Sequence, residues 1–241
     1  TALPCSGRRG SLLRRQIDTE LLPDPLIYQI YLPPCFDSQT DDLPILILLH
    51  GVGYTDSQWP DLGIAGLADD LIASGETQPF IILMPREQDT HLRPYGSEFG
   101  LALTQVLLPE IERRYPVCAQ RQCRAIGGIS RGGNWAVQLG FTHWELFGVI
   151  GAHSSPLFTE DINALEGWLT SIPPSLPPHI YLDIGQNDPH LRDAINFQRQ
   201  LDEHGVIHEW SLNPGGHTNA YWSFHLEDYI RWYTSALAKE S

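Results

Sequence analysis

Residues 124–134 read RAIGGISRGGN, and this stretch decides the fold. Arg124–Ile129 reads as a short apolar strand and Gly132–Thr142 as a helix, so Ser130 falls on the turn between them. A serine in the pattern G-x-S-x-G, on a sharp strand-to-helix turn, is held in a strained backbone conformation with its side chain pushed out above the sheet. Gly128, Gly132 and Gly133 leave out the Cβ atoms that would collide where strand and helix cross so closely. The pattern alone occurs by chance, and its competing reading is a glycine-rich turn that binds an anion at a helix N-terminus. The strand before it and the helix after it favour the nucleophile.

Outward from this turn, strands and helices alternate. Leu43–Leu49 (LPILILL) is a continuous apolar run of the kind buried on both faces of a parallel sheet. Pro79–Met84, Phe147–Ala152, Ile180–Ile184 and Val206–Leu212 read as further strands. Helices are expected over Leu62–Ala73, Glu98–Tyr115, Asp161–Thr170, His190–His204 and Ala220–Ala238. At the start, Ser11–Leu21 and Leu26–Leu32 are strand-like and are separated by the turn Pro23-Asp24-Pro25, which predicts an antiparallel hairpin. The whole is an α/β pattern: a doubly wound, mostly parallel sheet with an antiparallel beginning. The proline-rich residues 172–178 lie between a helix and a strand and read as a surface connection. Residues 1–241 are therefore expected to form one domain without a large lid.

A serine hydroxyl needs a base to take its proton. Of the ten histidines, His217 is favoured, because Pro214–Thr218 (PGGHT) follows the last strand as a loop. His179, His204 and His208 flank strands, and His225 falls inside the final helix. The imidazole needs a carboxylate to fix its tautomer. Asp188 follows the strand Ile180–Ile184 on a glycine-containing loop, whereas Asp183 lies within that strand and Asp193 on the next helix. The resulting order Ser130, Asp188, His217 is that of α/β hydrolases. Negative charge on a substrate carbonyl would be met by the N–H of Arg131 and by a second N–H from His50-Gly51-Val52-Gly53-Tyr54. Val52 is favoured there, with Gly51 or Gly53 as alternatives. His50 reads as a structural hydrogen-bonder.

With these parts in place, the chain resembles the esterase D-like family of α/β hydrolases, which includes feruloyl and acetyl-xylan esterases, S-formylglutathione hydrolases, enterochelin esterases and mycolyltransferases. The resemblance runs over nearly the whole chain. It rests on Tyr31-Leu32-Pro33-Pro34, the His50-Gly51 loop with Trp59 downstream, the Ser130 turn, Phe147-Gly148, Asp188 and His217. Arg131 stands where many members carry a hydrophobic residue. The resemblance implies an α/β-hydrolase fold with helices on both faces and a serine esterase with no metal and no organic cofactor. Its expected partner is a short-chain or carbohydrate-linked ester; an acyltransferase with the same three residues, or a non-catalytic binding protein on this scaffold, is the alternative.

Trp59, Tyr221 and Trp222, with Trp135, stand near these loops and are expected either to wall a substrate site or to pack helices on the sheet. The Arg131 guanidinium would steer an acidic substrate or pair with a carboxylate. A formal net charge of −14 opposes binding to a phosphate backbone, so nucleic acid is excluded as a partner. No apolar run approaches the length of a membrane span. The cysteines fall into two pairs, Cys5 with Cys35 and Cys118 with Cys123. Two local disulfides would fit an exported protein, and four free thiols a cytoplasmic one.

Overall fold

The computed structural model describes residues 7–37, 42–88, 90, 97–157 and 159–238. The strands are β1 (Ser11–Ile17), β2 (Leu26–Leu32), β3 (Ile45–Leu49), β4 (Ile81–Pro85), β5 (Arg124–Ile129), β6 (Val149–His153), β7 (His179–Gly185) and β8 (Glu209–Asn213). Among the described residues they form one eight-stranded sheet in the order β1-β2-β4-β3-β5-β6-β7-β8. The β1–β2 and β2–β4 pairs are antiparallel. The remaining pairs are parallel. The antiparallel hairpin and the parallel body agree with the sequence reading.

The helices are α1 (Gln58–Asp61), α2 (Ile64–Ala73), α3 (Phe99–Leu101), α4 (Leu108–Arg114), α5 (Arg131–Thr142), α6 (Thr159–Ser171), α7 (Leu191–Glu203), α8 (Asn219–Phe224) and α9 (Leu226–Ala238), with α3 running into α4 through a π-helical stretch, Ala102–Leu107. Alternation along the strands explains why helices cover both faces. Ile45, Ile47 and Leu49 join a core with Trp135, Leu139 and Phe141 of α5, Leu165 of α6 and Phe197 of α7. Leu46 and Leu48 point the other way, into a core with Ile64 and Leu71 of α2 and Tyr229 and Tyr233 of α9. A strand buried on both faces must be apolar at every position, as β3 is.

Most element bounds shift by a residue or two, and three elements differ by more than that from the sequence reading. The first strand ends at Ile17 rather than Leu21, where the Leu21 N–H turns back onto Thr19 Oγ1. The last strand begins at Glu209 rather than Val206, because the Val206 N–H closes the preceding helix on the Leu201 carbonyl. The expected helix 220–238 is two helices, for the backbone at His225 (φ −93, ψ 3) leaves the helical basin. Cys118 and Cys123 form a disulfide. Cys5, and with it the expected Cys5–Cys35 pairing, lies outside the described residues.

The sheet order places the candidate site. From β3 the chain crosses to β4 on one side and returns as β5 on the other, so Leu49 pairs with Gly128 at adjacent strand ends. The loops after β3 and β5 therefore face one another at the switch in strand order, where open α/β sheets bind ligands. The loops after β7 and β8 emerge at the same edge because those strands run parallel to β5.

Candidate active site

Ser130 sits at φ 56, ψ −120, a positive φ that only a well-determined turn sustains in a non-glycine residue. The sequence accounts for how the turn is held. A Cβ on Gly128 would lie 2.3 Å from the Gly132 carbonyl carbon, and one on Gly132 would lie 2.2 Å from the Leu49 carbonyl oxygen. The Ser130 N–H donates to the His153 carbonyl at 2.8 Å, tying the turn to the end of β6.

The loops bearing Asp188 and His217 are zipped together. The Gln186 N–H donates to the Asn213 carbonyl and the Asn187 N–H to the Gly215 carbonyl, each at 2.8 Å. Gly215 adopts φ 130. Gly185 lets the two backbones meet, since a Cβ there would come within 2.6 Å of the Gly215 oxygen. His217 then projects just before α8, whose first turn is capped by Thr218 Oγ1 accepting the Tyr221 N–H.

The structure brings the three side chains into one chain of hydrogen bonds. His217 Nδ1 lies 2.8 Å from Asp188 Oδ2, and His217 Nε2 lies 3.0 Å from Ser130 Oγ. Asp188 Oδ1 also accepts the His190 N–H at 2.9 Å. Burial pushes the Asp188 carboxyl up, but the hydrogen bonds from His217 and from the His190 N–H outweigh it and hold the group below its ordinary value. The acid is thus a carboxylate that accepts Nδ1–H, which leaves Nε2 free to accept from the serine hydroxyl.

The β3 loop packs against the serine: a Cβ on Gly51 would be 3.4 Å from Ser130 Cβ. The Gly51 N–H is already donated to Gln58 Oε1 at 2.8 Å. The Gly51 carbonyl accepts from the Tyr54 N–H at 3.2 Å and from His50 Nδ1 at 2.9 Å. Across a planar trans peptide the N–H points opposite to the C=O, so the Val52 N–H is aimed away from these donors. His50 is buried and accepts the Glu87 N–H at Nε2, 2.9 Å away. That contact requires the proton on Nδ1. Burial lowers the His50 pKa, keeping it neutral.

Of the two roles expected for Trp59, Tyr221, Trp222 and Arg131, the structure shows packing and ion pairing within the fold. Trp59 is 1% exposed and its indole N–H donates to the Leu49 carbonyl, so it packs beneath the loop. Tyr221 and Trp222 are buried as well. The Tyr221 hydroxyl donates to Asp183, while Trp222 stands edge-on to His217 at 5.0 Å and donates to Ser154 Oγ. The Arg131 guanidinium makes a two-pronged pair with Glu87 at 2.6 and 2.5 Å. An ion pair this buried spends the charge internally rather than on a ligand. Glu87 was not anticipated; it stands just past β4 on an otherwise unmarked loop. Val52 and Tyr54 are the large hydrophobic side chains that the β3 loop exposes, at 56% and 39% exposure.

A strained serine, a histidine and a carboxylate in line at the C-terminal edge of such a sheet are accompanied by a family match. The family described as "Putative esterase" covers residues 19–233. The chain belongs to this esterase family. Two curated relatives are similar to it. One is an endo-1,4-beta-xylanase/feruloyl esterase of Xylanibacter ruminicola, 34% identical over 116 residues, which are 45% of this chain and 16% of that protein. The other is an iron(III) enterobactin esterase of Escherichia coli, 25% identical over 206 residues, 77% of this chain and 48% of that protein. The chain thus spans less than half the length of either. Among solved structures, a ferulic acid esterase superposes with a TM-score of 0.83 at 24% identity, covering 95% of this chain and 99% of the other. This likeness shows that the esterase family member has the α/β-hydrolase fold.

Proposed function

We propose that this chain is a serine carboxylesterase that cleaves short-chain or carbohydrate-linked acyl esters through an acyl-enzyme intermediate. The observation that carries the proposal is the Ser130–His217–Asp188 hydrogen-bond chain at 3.0 and 2.8 Å. In this reading His217 takes the Ser130 proton as Oγ attacks the ester carbonyl carbon. Asp188 stabilises the imidazolium that forms, and the N–H groups of Arg131 and Val52 meet the charge on the carbonyl oxygen. His217 then returns the proton to the departing alcohol, leaving the acyl group on Ser130. Water, deprotonated by the same imidazole, releases the acid and restores the serine.

The carbohydrate-linked class is supported by the relative whose name joins xylanase with feruloyl esterase. The exposed Val52 and Tyr54 offer an apolar and an aromatic surface beside the serine. We take residues 1–241 to act as one catalytic domain. Among the described residues no helix is long and apolar enough to cross a membrane. The Cys118–Cys123 disulfide supports an oxidising compartment as the working location.

A panel of acetylated, feruloylated and simple acyl esters, with Ser130→Ala as control, tests the function. Turnover that disappears in the variant supports it, as does butyrate cleaved faster than laurate as the p-nitrophenyl ester. Turnover unaffected by the substitution overturns it. Acyl transfer to an added alcohol in preference to water would reassign the chain as an acyltransferase.

A further inference from the structure

Beneath the site lies a second group of buried polar side chains that the reaction above does not use. His153 ends β6 and pairs across the sheet with Asp183 of β7; both are almost wholly inaccessible. His153 Nδ1 is 2.7 Å from Asp183 Oδ1, and Nε2 is 2.8 Å from the Tyr233 hydroxyl. Asp183 Oδ2 accepts two further hydroxyls, from Tyr221 at 2.7 Å and Tyr229 at 2.9 Å. Space for this is left by glycine, since a Cβ on Gly127 or Gly151 would fall within 2 Å of the Tyr233 oxygen. Burial first, and then the charge of Asp183, push the Tyr221 and Tyr229 hydroxyls well above the ordinary phenol range, so both stay protonated donors.

Of the tyrosines, Tyr221 reaches the loop that carries His217. Its hydroxyl accepts from Asn213 Nδ2 at 3.3 Å, where that loop begins. Its ring backs Gly215 in the middle, where a Cβ would come within 2.6 Å of the ring. Its N–H is held by Thr218, just after His217. Tyr229, by contrast, lies in α9, and among the described contacts none joins it to residues 213–217. A displacement of about 1 Å at a reacting group can cost up to a hundredfold in rate, so whatever fixes this loop bears on proton transfer.

We propose that Asp183 is a positioning residue, holding the 213–217 loop through the Tyr221 hydroxyl so that His217 stays in line with Ser130. This rests on the reading of Ser130 and His217 as the reacting pair. The test compares Tyr221→Phe with Tyr229→Phe, since each removes one hydroxyl from the same carboxylate oxygen while keeping the ring. Asn213→Ala serves as a second probe of the loop link from its other side.

Both tyrosine variants should lose similar thermal stability. Tyr221→Phe should lower kcat by about tenfold with KM unchanged, and slow fluorophosphonate labelling of Ser130 in proportion. Asn213→Ala should act in the same direction, and Tyr229→Phe should keep kcat within about twofold. Equal kcat in the two tyrosine variants, whether both full or both reduced, overturns the positioning role while leaving the hydrolase reading intact. Persistent turnover in Ser130→Ala overturns both.

Discussion

His217 Nε2 lies 3.0 Å from Ser130 Oγ although 87 residues separate them. Parallel strands make this contact possible, since β5 and β8 end at the same edge and each hands its loop to the same side. Asp188 fixes the geometry by holding Nδ1–H. Replacing it with Asn keeps the shape but can present an N–H where an acceptor is required, reversing the imidazole tautomer. We predict that Asp188→Asn lowers kcat by about 10³–10⁴-fold with little change in KM, measured on a p-nitrophenyl ester.

Two glycines should respond oppositely to alanine. At Gly132 a Cβ would meet the Leu49 carbonyl at 2.2 Å, whereas Gly66 in α2 has nothing within 4 Å. Gly132→Ala should therefore leave little folded protein or cost more than about 4 kcal/mol. Gly66→Ala should stabilise by about 0.5–1 kcal/mol through helix propensity. Urea denaturation of both variants checks the contrast.

The buried pair of Arg131 and Glu87 should show strong coupling. Glu87→Ala leaves a guanidinium with only 13% side-chain exposure without its carboxylate, at a cost of about 3–5 kcal/mol. Adding Arg131→Met should recover most of that loss. A double-mutant cycle in urea measures it, and additive losses would contradict the pairing.

His50 gives stability a pH dependence of known sign. Its folded pKa lies below the ordinary 6.5 because of burial. As pH falls through about 6.5 the unfolded chain takes up a proton first, so the contribution is complete above that value and is lost progressively below it. The wild type should lose more unfolding free energy between pH 7.5 and pH 5 than His50→Gln does. Equal losses would show that His50 does not contribute to this dependence.

Much of this was legible in the sequence because local chemistry and global fold coincide there. Ser130 is marked by the glycines that its turn requires, and β3 by an apolar residue at every position. Asp188 could be told from Asp183 because one follows a strand and the other lies within it. The partners of Asp183 were not legible: His153, Tyr221 and Tyr229 come from three other elements, and only the sheet register and the packing of α8 and α9 bring them together. Glu87 escaped for the same reason, since nothing local distinguishes it from a surface acid. The sequence left Trp59 open between a substrate wall and packing, because nearness in sequence to the His50 loop says nothing about the side of the loop on which a ring falls. The break at His225 is invisible to periodicity, as apolar residues on both sides of it keep helical spacing.

In the proposed reaction His217 activates Ser130 for attack on carbonyl carbon. The most direct measurement is the rate and site of modification by a fluorophosphonate, followed by intact mass and peptide mapping. We predict one adduct per chain, on Ser130, absent in Ser130→Ala and slowed at least about a hundredfold in His217→Ala. An adduct on another residue, or labelling of His217→Ala at the wild-type rate, would contradict the account.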